Sequence, residues 1–154
     1  ATRAPSGAGS GCSTAPESSE LLGGLVGLWV AQSWLDMGKP EPVQLAELGP
    51  GRGTLMADAL RAWGSVPDFL ATVSIALVET SPVLREAQRV ALHGAGVPIR
   101  WHDRLDDVSQ GALIVIANEF VDALPVRQLL WRDGQWRERS VTIGREGGFA
   151  FCEG

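Results

Sequence analysis

Three glycines at alternate positions, Gly49, Gly51 and Gly53, stand between an apolar segment, Val43–Leu48, and a helical one, Leu55–Trp63. No other feature restricts the fold of this 154-residue chain as much. Glycine adopts backbone angles closed to other residues and lets the chain approach a ligand closely. The helix that follows points its free N–H groups and its positive dipole end the same way. A strand, a glycine loop and a helix in that order form the first unit of an α/β sheet that binds ligands at its strand ends.

The same alternation continues downstream. Val73–Val78 is a second strand, Pro82–Leu92 a second helix, and Val97–Trp101 a brief third strand before a short polar connection. Ala112–Ala117 (ALIVIA) is apolar on both faces, which places it in the middle of a parallel sheet. Strands and helices at this pitch predict βαβ units and an α/β, Rossmann-like, mostly parallel sheet. After residue 120 the character changes. Val126–Trp131 and Trp136–Thr142 are strand-like and meet at Asp133-Gly134, a strong hairpin signal. Phe149–Cys152 adds a third strand after Gly147-Gly148. The expected organisation is a disordered, Gly/Ser-rich lead at 1–13 and one domain at 14–154. That domain comprises an N-terminal helix at 18–38, a βαβ core at 43–120 and an antiparallel extension at 126–152.

For the N-terminal helix, Glu17, Ser18 and Ser19 offer capping groups, and Gly38-Lys39-Pro40 ends it. Leu21, Leu22, Leu25, Leu28, Trp29 and Leu35 fall largely on one of its faces. This run is shorter than the ~20 apolar residues that span a bilayer, and no secretory signal pattern precedes it. A soluble protein is therefore expected. Hydrophobic residues make up 45% of the chain, enough for a real core. The net charge of −5, with no basic block, argues against a nucleic-acid partner. Cys12 and Cys152 match no zinc-ligand spacing and read as reduced thiols, so no metal is expected.

The glycine loop suits two cofactors. Dinucleotides favour G-x-G-x-x-G, whereas the spacing here is G-x-G-x-G with Glu47 two residues ahead and Pro50 inside. S-adenosylmethionine has no phosphate but carries a cationic sulfonium and an amino-acid tail, whose ammonium an acid at the strand end can orient. Glu79 closes the second strand where the ribose-binding acid of such folds belongs. Asp103, after the third strand, either meets the adenine amino group or is a loop acid. His102 beside it is a packing or rim residue. Asn118-Glu119-Phe120 follows the most apolar strand and faces the reacting end of the ligand. Glu119 and Asp122 can together hold a cationic acceptor, although Asp122 can equally cap a short helix at 122–124. The six tryptophans read as core and hairpin packing.

These segments resemble one family. ELGPGRGTL at 47–55, VETSPVLR at 78–85, WHDRL at 101–105 and ANEFVDALPVRQ at 117–128 look like the MidA family. That is the family of the mitochondrial complex I assembly methyltransferase and its bacterial relatives. TAPE at 14–17 and WRER at 136–139 fit its pattern too. The resemblance implies a class I methyltransferase using S-adenosylmethionine, with protein arginine in a complex I subunit as the favoured acceptor. By position it assigns Gly49, Gly51, Gly53 and Glu79 to the cofactor and Asn118-Glu119-Phe120 to the transfer site. With the reading of the residues above, Glu47, Pro50, Asp103 and Asn118 complete the expected cofactor set, and Asn118, Glu119 and Asp122 form the expected catalytic set. Thr14–Glu17 is expected to approach the same pocket.

The chain departs from the family at Ser10-Gly11-Cys12, where Gly-Asp-Phe is usual, and at Val121, usually aromatic. The expected sheet is incomplete relative to the family. A homo-oligomer and a bacterial cytoplasmic or mitochondrial matrix location fit the resemblance. Two other functions compete with methyl transfer: a truncated, non-catalytic fragment that keeps the cofactor fold and binds a partner, and a dinucleotide oxidoreductase.

Overall fold

The computed structural model describes residues 20–108 and 111–154. The lead at 1–13, Cys12, Thr14–Glu17 and the capping residues Glu17–Ser19 lie outside the described residues. The chain divides into two compact units, one ending at Val121 and the other at Asp122–Gly154.

The first unit runs α1 (Glu20–Asp36), β1 (Val43–Leu48), α2 (Thr54–Trp63), α3 (Pro67–Thr72), β2 (Val73–Val78), α4 (Pro82–Ala91), β3 (Ile99–His102) and β4 (Ala112–Ile116). All four strands are parallel, in the order β3-β2-β1-β4. Sequence periodicity places β1, β2, α2 and α4 to within a residue at each end. The third strand begins two residues later than expected, after Pro98. That residue has no N–H for the ladder, and its carbonyl accepts from Ile75 N at 2.8 Å. The short helix α3 had no apolar repeat to announce it. Pro67 opens it and buried Phe69 anchors it.

The ALIVIA strand is corrected in one respect. It lies at the edge of the described sheet, paired only to β1. Ile114 and Ile116 are buried, but Leu113 and Val115 are exposed. Composition reports that both faces are apolar; it does not report which neighbours are present.

The face that buries α1 also differs from the leucine face. Gly23, Gly27, Val30, Ala31 and Trp34 turn inward, while Leu21, Leu25, Leu28, Trp29 and Leu35 are exposed. The cause is close helix packing. A Cβ on Gly27 would stand 2.7 Å from Ala59 Cα, and one on Gly23 2.5 Å from Asp58 Cβ. Two glycines one turn apart thus bring α1 onto α2 at backbone distance. Trp63 exploits that approach and donates its indole N–H to the Gly27 carbonyl at 2.7 Å. Trp63 also packs edge-on to Phe69 with ring centroids 5.0 Å apart, and the Trp34 ring lies 5.4 Å from the same phenylalanine. These rings, with Leu45, Met56, Ile75 and Leu77, form the core between the helices and the sheet.

In the second unit β5 (Gln128–Arg132), β6 (Gln135–Ile143) and β7 (Phe149–Glu153) make an antiparallel meander. Asp133 and Gly134 have φ of 50° and 75°, the two left-handed angles of a type I′ hairpin turn. Across that hairpin Trp131 and Trp136 meet at 5.2 Å. Arg127 pairs with Glu138 through two nitrogens. A 3-10 turn at Val121–Ala123 contains Asp122, one residue earlier than the short helix expected there.

The glycine seam is testable. Gly27→Val should destabilise the chain by about 1–3 kcal/mol, the cost of overpacking a filled contact. Gly24 has nothing within 4 Å of an added Cβ, so Gly24→Ala should be neutral or stabilise by up to about 1 kcal/mol. Urea unfolding of the two variants checks the contrast; equal effects would show that the helices are not in close contact.

Candidate functional site

Register decides where the candidate residues meet. Leu48 pairs with Val78, Val78 with His102, and Glu47 with Ile116. Because the strands are parallel, the residues that follow them emerge along one edge of the sheet. Gly49, Glu79 and Asp103 leave neighbouring strands there, each separated at the backbone by about 4.8 Å. Gly49 N donates to Val78 O at 3.0 Å, and Glu79 N donates to His102 O at 3.1 Å, so the ladder extends into the loops. The sheet thus gathers Glu47, the glycine loop, Glu79, Asp103 and Asn118–Phe120 at its carboxyl edge.

All three loop glycines are left-handed, with φ of 61° at Gly49, 56° at Gly51 and 85° at Gly53. Gly49 is required for a second reason. A Cβ there would stand 2.6 Å from Cδ2 of Phe120, whose ring therefore lies directly against the loop. Gly51 has open space where a Cβ would go. Pro50 is buried, and its carbonyl accepts from Gly53 N at 2.9 Å to close the turn into α2.

Glu47 is buried, 3% exposed, and its Oε2 has no hydrogen-bond partner. Burial pushes its carboxyl up from the ordinary 4.5 to about 8, because the charged form loses its hydration there. A buried acid of this kind, beside a loop whose backbone leaves room for a ligand, fits a cationic group. An ammonium would give Glu47 the counter-charge that the fold withholds.

Glu79 is half-buried. Its Oε1 accepts from Ser81 N at 2.8 Å, its carbonyl from Arg85 Nε at 2.6 Å. Arg85 also pairs with Asp103 at 2.7 Å and so ties the ends of β2 and β3 together. Asp103 is exposed, and its Oδ1 accepts from that arginine. His102 is half-buried at the end of β3. Asn118 is half-buried and Glu119 exposed. Glu119 has φ of 47°, an uncommon left-handed angle for a non-glycine residue that turns the chain sharply after β4. Asp122 is exposed and belongs to the second unit.

Sequence reasoning missed Gln88. It is fully buried on α4, donates to Gly51 O at 2.7 Å and accepts from Trp101 Nε1 at 2.8 Å. One signal was available: Leu84, Gln88 and Leu92 share a helical face at four-residue spacing, and a polar residue in such a stripe needs a buried partner. Among the described residues no group of three or more His, Cys, Asp or Glu could hold a metal ion, and no helix is long and apolar enough to cross a membrane. Cys152 is a free thiol.

Residues 25–154 match the sequence model of a family described as "Putative S-adenosyl-L-methionine-dependent methyltransferase". The chain is 39% identical to the protein arginine methyltransferase NDUFAF7 homolog, mitochondrial, of Drosophila melanogaster, over 88% of this chain and 35% of that protein. It is 37% identical to protein arginine methyltransferase NDUFAF7, mitochondrial, of Danio rerio, over 91% of this chain and 38% of the relative. A crystal structure from Burkholderia thailandensis, described as a "likely methyl transferase" bound to S-adenosyl-homocysteine, superposes with a TM-score of 0.64. It is 32% identical and covers 92% of this chain and 36% of its own. The chain thus spans little more than a third of the length of these relatives.

The charge state of Glu47 makes a prediction about stability. The native state holds Glu47 neutral up to about pH 8, whereas the unfolded chain ionises it from about pH 4.5. The native state then binds more protons than the unfolded one, so stability falls as pH rises through that window, by about 1.4 kcal/mol per unit. The loss should total about 4–5 kcal/mol and level off above pH 8. Urea unfolding at pH 5, 6.5 and 8.5 should show the decline in the wild type and its absence in Glu47→Gln. A parallel slope in both proteins would assign it to other groups.

Proposed function

Because the chain belongs to the S-adenosyl-L-methionine-dependent methyltransferase family whose sequence model it matches, we propose that it binds S-adenosylmethionine along the carboxyl edge of its sheet for methyl transfer to protein arginine. The observation that carries the reading is Glu47: a buried carboxyl with an unbonded oxygen, beside a loop of three left-handed glycines. When bound, S-adenosylmethionine supplies a methyl group on a cationic sulfonium.

The chain's own residues divide the remaining work. Glu47 ionises against the ammonium of the amino-acid tail and releases its proton to solvent. Gly49, Gly51 and Gly53 bring the backbone up to that tail, with Pro50 buried beneath to hold the turn. Glu79 accepts the ribose hydroxyls, one of its oxygens being steadied by Ser81 N. Asp103, anchored by Arg85, meets the adenine amino group. Asn118 and Glu119 follow β4, and Phe120 shields the loop. In this reading Glu119 orients the acceptor guanidinium and receives the proton its nitrogen gives up. Asp122, three residues further along, is the second carboxylate assigned to the acceptor.

Arginine as acceptor is supported by the relatives, which are named protein arginine methyltransferases. Their mitochondrial designation supports a mitochondrial location; a respiratory complex I subunit as the acceptor protein is what the family resemblance implies. Domain 14–154 is proposed as the cofactor-binding portion of such an enzyme.

Titration calorimetry with S-adenosylhomocysteine and NAD tests the reading. S-adenosylhomocysteine should bind and NAD should not. Binding at pH 7 should release a proton, seen as a heat that changes with the buffer's ionisation enthalpy. Glu79→Ala should weaken binding by about 1–3 kcal/mol, the scale of lost hydrogen bonds to a charged group. Glu119→Gln should leave S-adenosylhomocysteine affinity intact and abolish transfer to an arginine peptide of a complex I subunit. Tight NAD binding without any response to S-adenosylhomocysteine would overturn the assignment. Cofactor binding with no transfer to any arginine peptide would favour a non-catalytic binding module.

A further inference from the structure

We propose that Gln88 is a positioning residue for the glycine loop, fixing the Gly51 peptide and through it the affinity for the amino-acid end of the adenosyl ligand. The proposal rests on the reading of the ligand edge given above. Gln88 is fully buried, and its amide joins two other elements. Its nitrogen donates to the Gly51 carbonyl at 2.7 Å, and its oxygen accepts from the Trp101 indole at 2.8 Å.

The direction of this bridge follows from chemistry. An indole N–H can only donate, so Trp101 must face the amide oxygen of Gln88. The amide nitrogen is thereby left for Gly51, whose carbonyl can only accept. Arg89, the next residue on α4, also lies over Trp101, its guanidinium carbon 5.0 Å from the ring centroid. The chain β3–α4–loop is consequently oriented from one end to the other.

The loop end also packs on the same residue. A Cβ on Gly53 would stand 3.4 Å from Gln88 Cγ and 3.5 Å from its Cα. Gln88 thus bonds the loop at Gly51, and at Gly53 it stands where an added Cβ would just touch it. Between them lies the Gly51–Arg52 peptide, whose tilt the Gln88 bond sets. A loop with three left-handed glycines has many conformations to choose among. One buried amide selects among them before any ligand arrives, which lowers the ordering cost of binding.

Glu79 stands outside this bridge, since its partners are Ser81 and Arg85. Gln88 should therefore act on the part of the ligand that meets the loop and Glu47, and leave the adenosine part alone. Two ligands separate these parts. S-adenosylhomocysteine has the amino-acid tail, and 5′-methylthioadenosine keeps the adenosine and thioether without it.

Calorimetry on the full chain should show Gln88→Met weakening S-adenosylhomocysteine about tenfold and methylthioadenosine less than about twofold. Trp101→Phe, which leaves the amide bonded but no longer oriented, should weaken S-adenosylhomocysteine by about threefold with the same selectivity. Circular dichroism and thermal unfolding of each variant report the fold independently. An unchanged affinity for S-adenosylhomocysteine, or an equal loss for both ligands, would overturn the role. If Gln88→Met does not fold, Trp101→Phe decides alone by the same criterion. Failure of the wild-type chain to bind either ligand would instead bring down the reading of the ligand edge, and the role of Gln88 with it.

Discussion

Glu47 stands where a carboxylate is hardest to keep. It is on β1, between β2 and β4, at the point where the sheet stops and the loop begins. Every other residue of β1 that is buried is apolar: Val43, Leu45 and Ala46. An acid in that row, with one oxygen unbonded, weakens the free protein at neutral pH. A hydrophobic residue of similar size would stabilise it. The arrangement is intelligible if the acid's partner is a cation that comes and goes, because binding then recovers what folding gave up. Strain of this kind at a ligand edge is a common mark of function.

The rest of the first unit supports that edge. Three positions of the loop have no side chain with which to order it. Its order comes from three directions. Val78 O holds Gly49 N, Phe120 lies against Gly49, and Gln88 holds Gly51. On the next strands, Arg85 secures both the carbonyl of Glu79 and the carboxylate of Asp103. Helix α4 therefore serves the ligand edge twice, through residues three positions apart on one of its faces. Ser81 caps its first turn and Pro82 opens it, so the helix begins directly after Glu79.

How much of this could be read from the sequence depended on the kind of signal. Strand bounds for β1 and β2 were legible because apolar runs flanked by turn residues have few alternative assignments. The loop was legible because glycine spacing and Glu47 carry chemistry in one dimension. The edge position of β4 was not, because ALIVIA says that both faces are apolar and nothing about who lies beside it. The orientation of α1 was hidden for a different reason. Leucines mark an apolar face by size, but Gly23 and Gly27 mark the packed face by absence, which a hydrophobic pattern does not weigh. Gln88 was hidden because its two partners are 37 and 13 residues away. Glu47, the glycine loop, Glu79, Asp103 and Asn118 lie at the strand ends, where topology alone collects them. Gln88, on α4, does not.

The glycine seam and the ligand edge are connected through α2. Gly27 admits Ala59 at backbone distance, and Gly53 opens the same helix at the loop. The position of α2 is therefore set at one side by α1 and at its N-terminus by the loop that Gln88 braces. Interiors packed to crystal-like density transmit displacement rather than absorb it. Trp63, on the last turn of α2, ties the other end to α1 through the Gly27 carbonyl. A shift of α1 along α2 would move the helix N-terminus on which the loop is built. The small residues of α1 thus bear on the loop from a distance, by fixing how closely α1 approaches the helix that the loop opens.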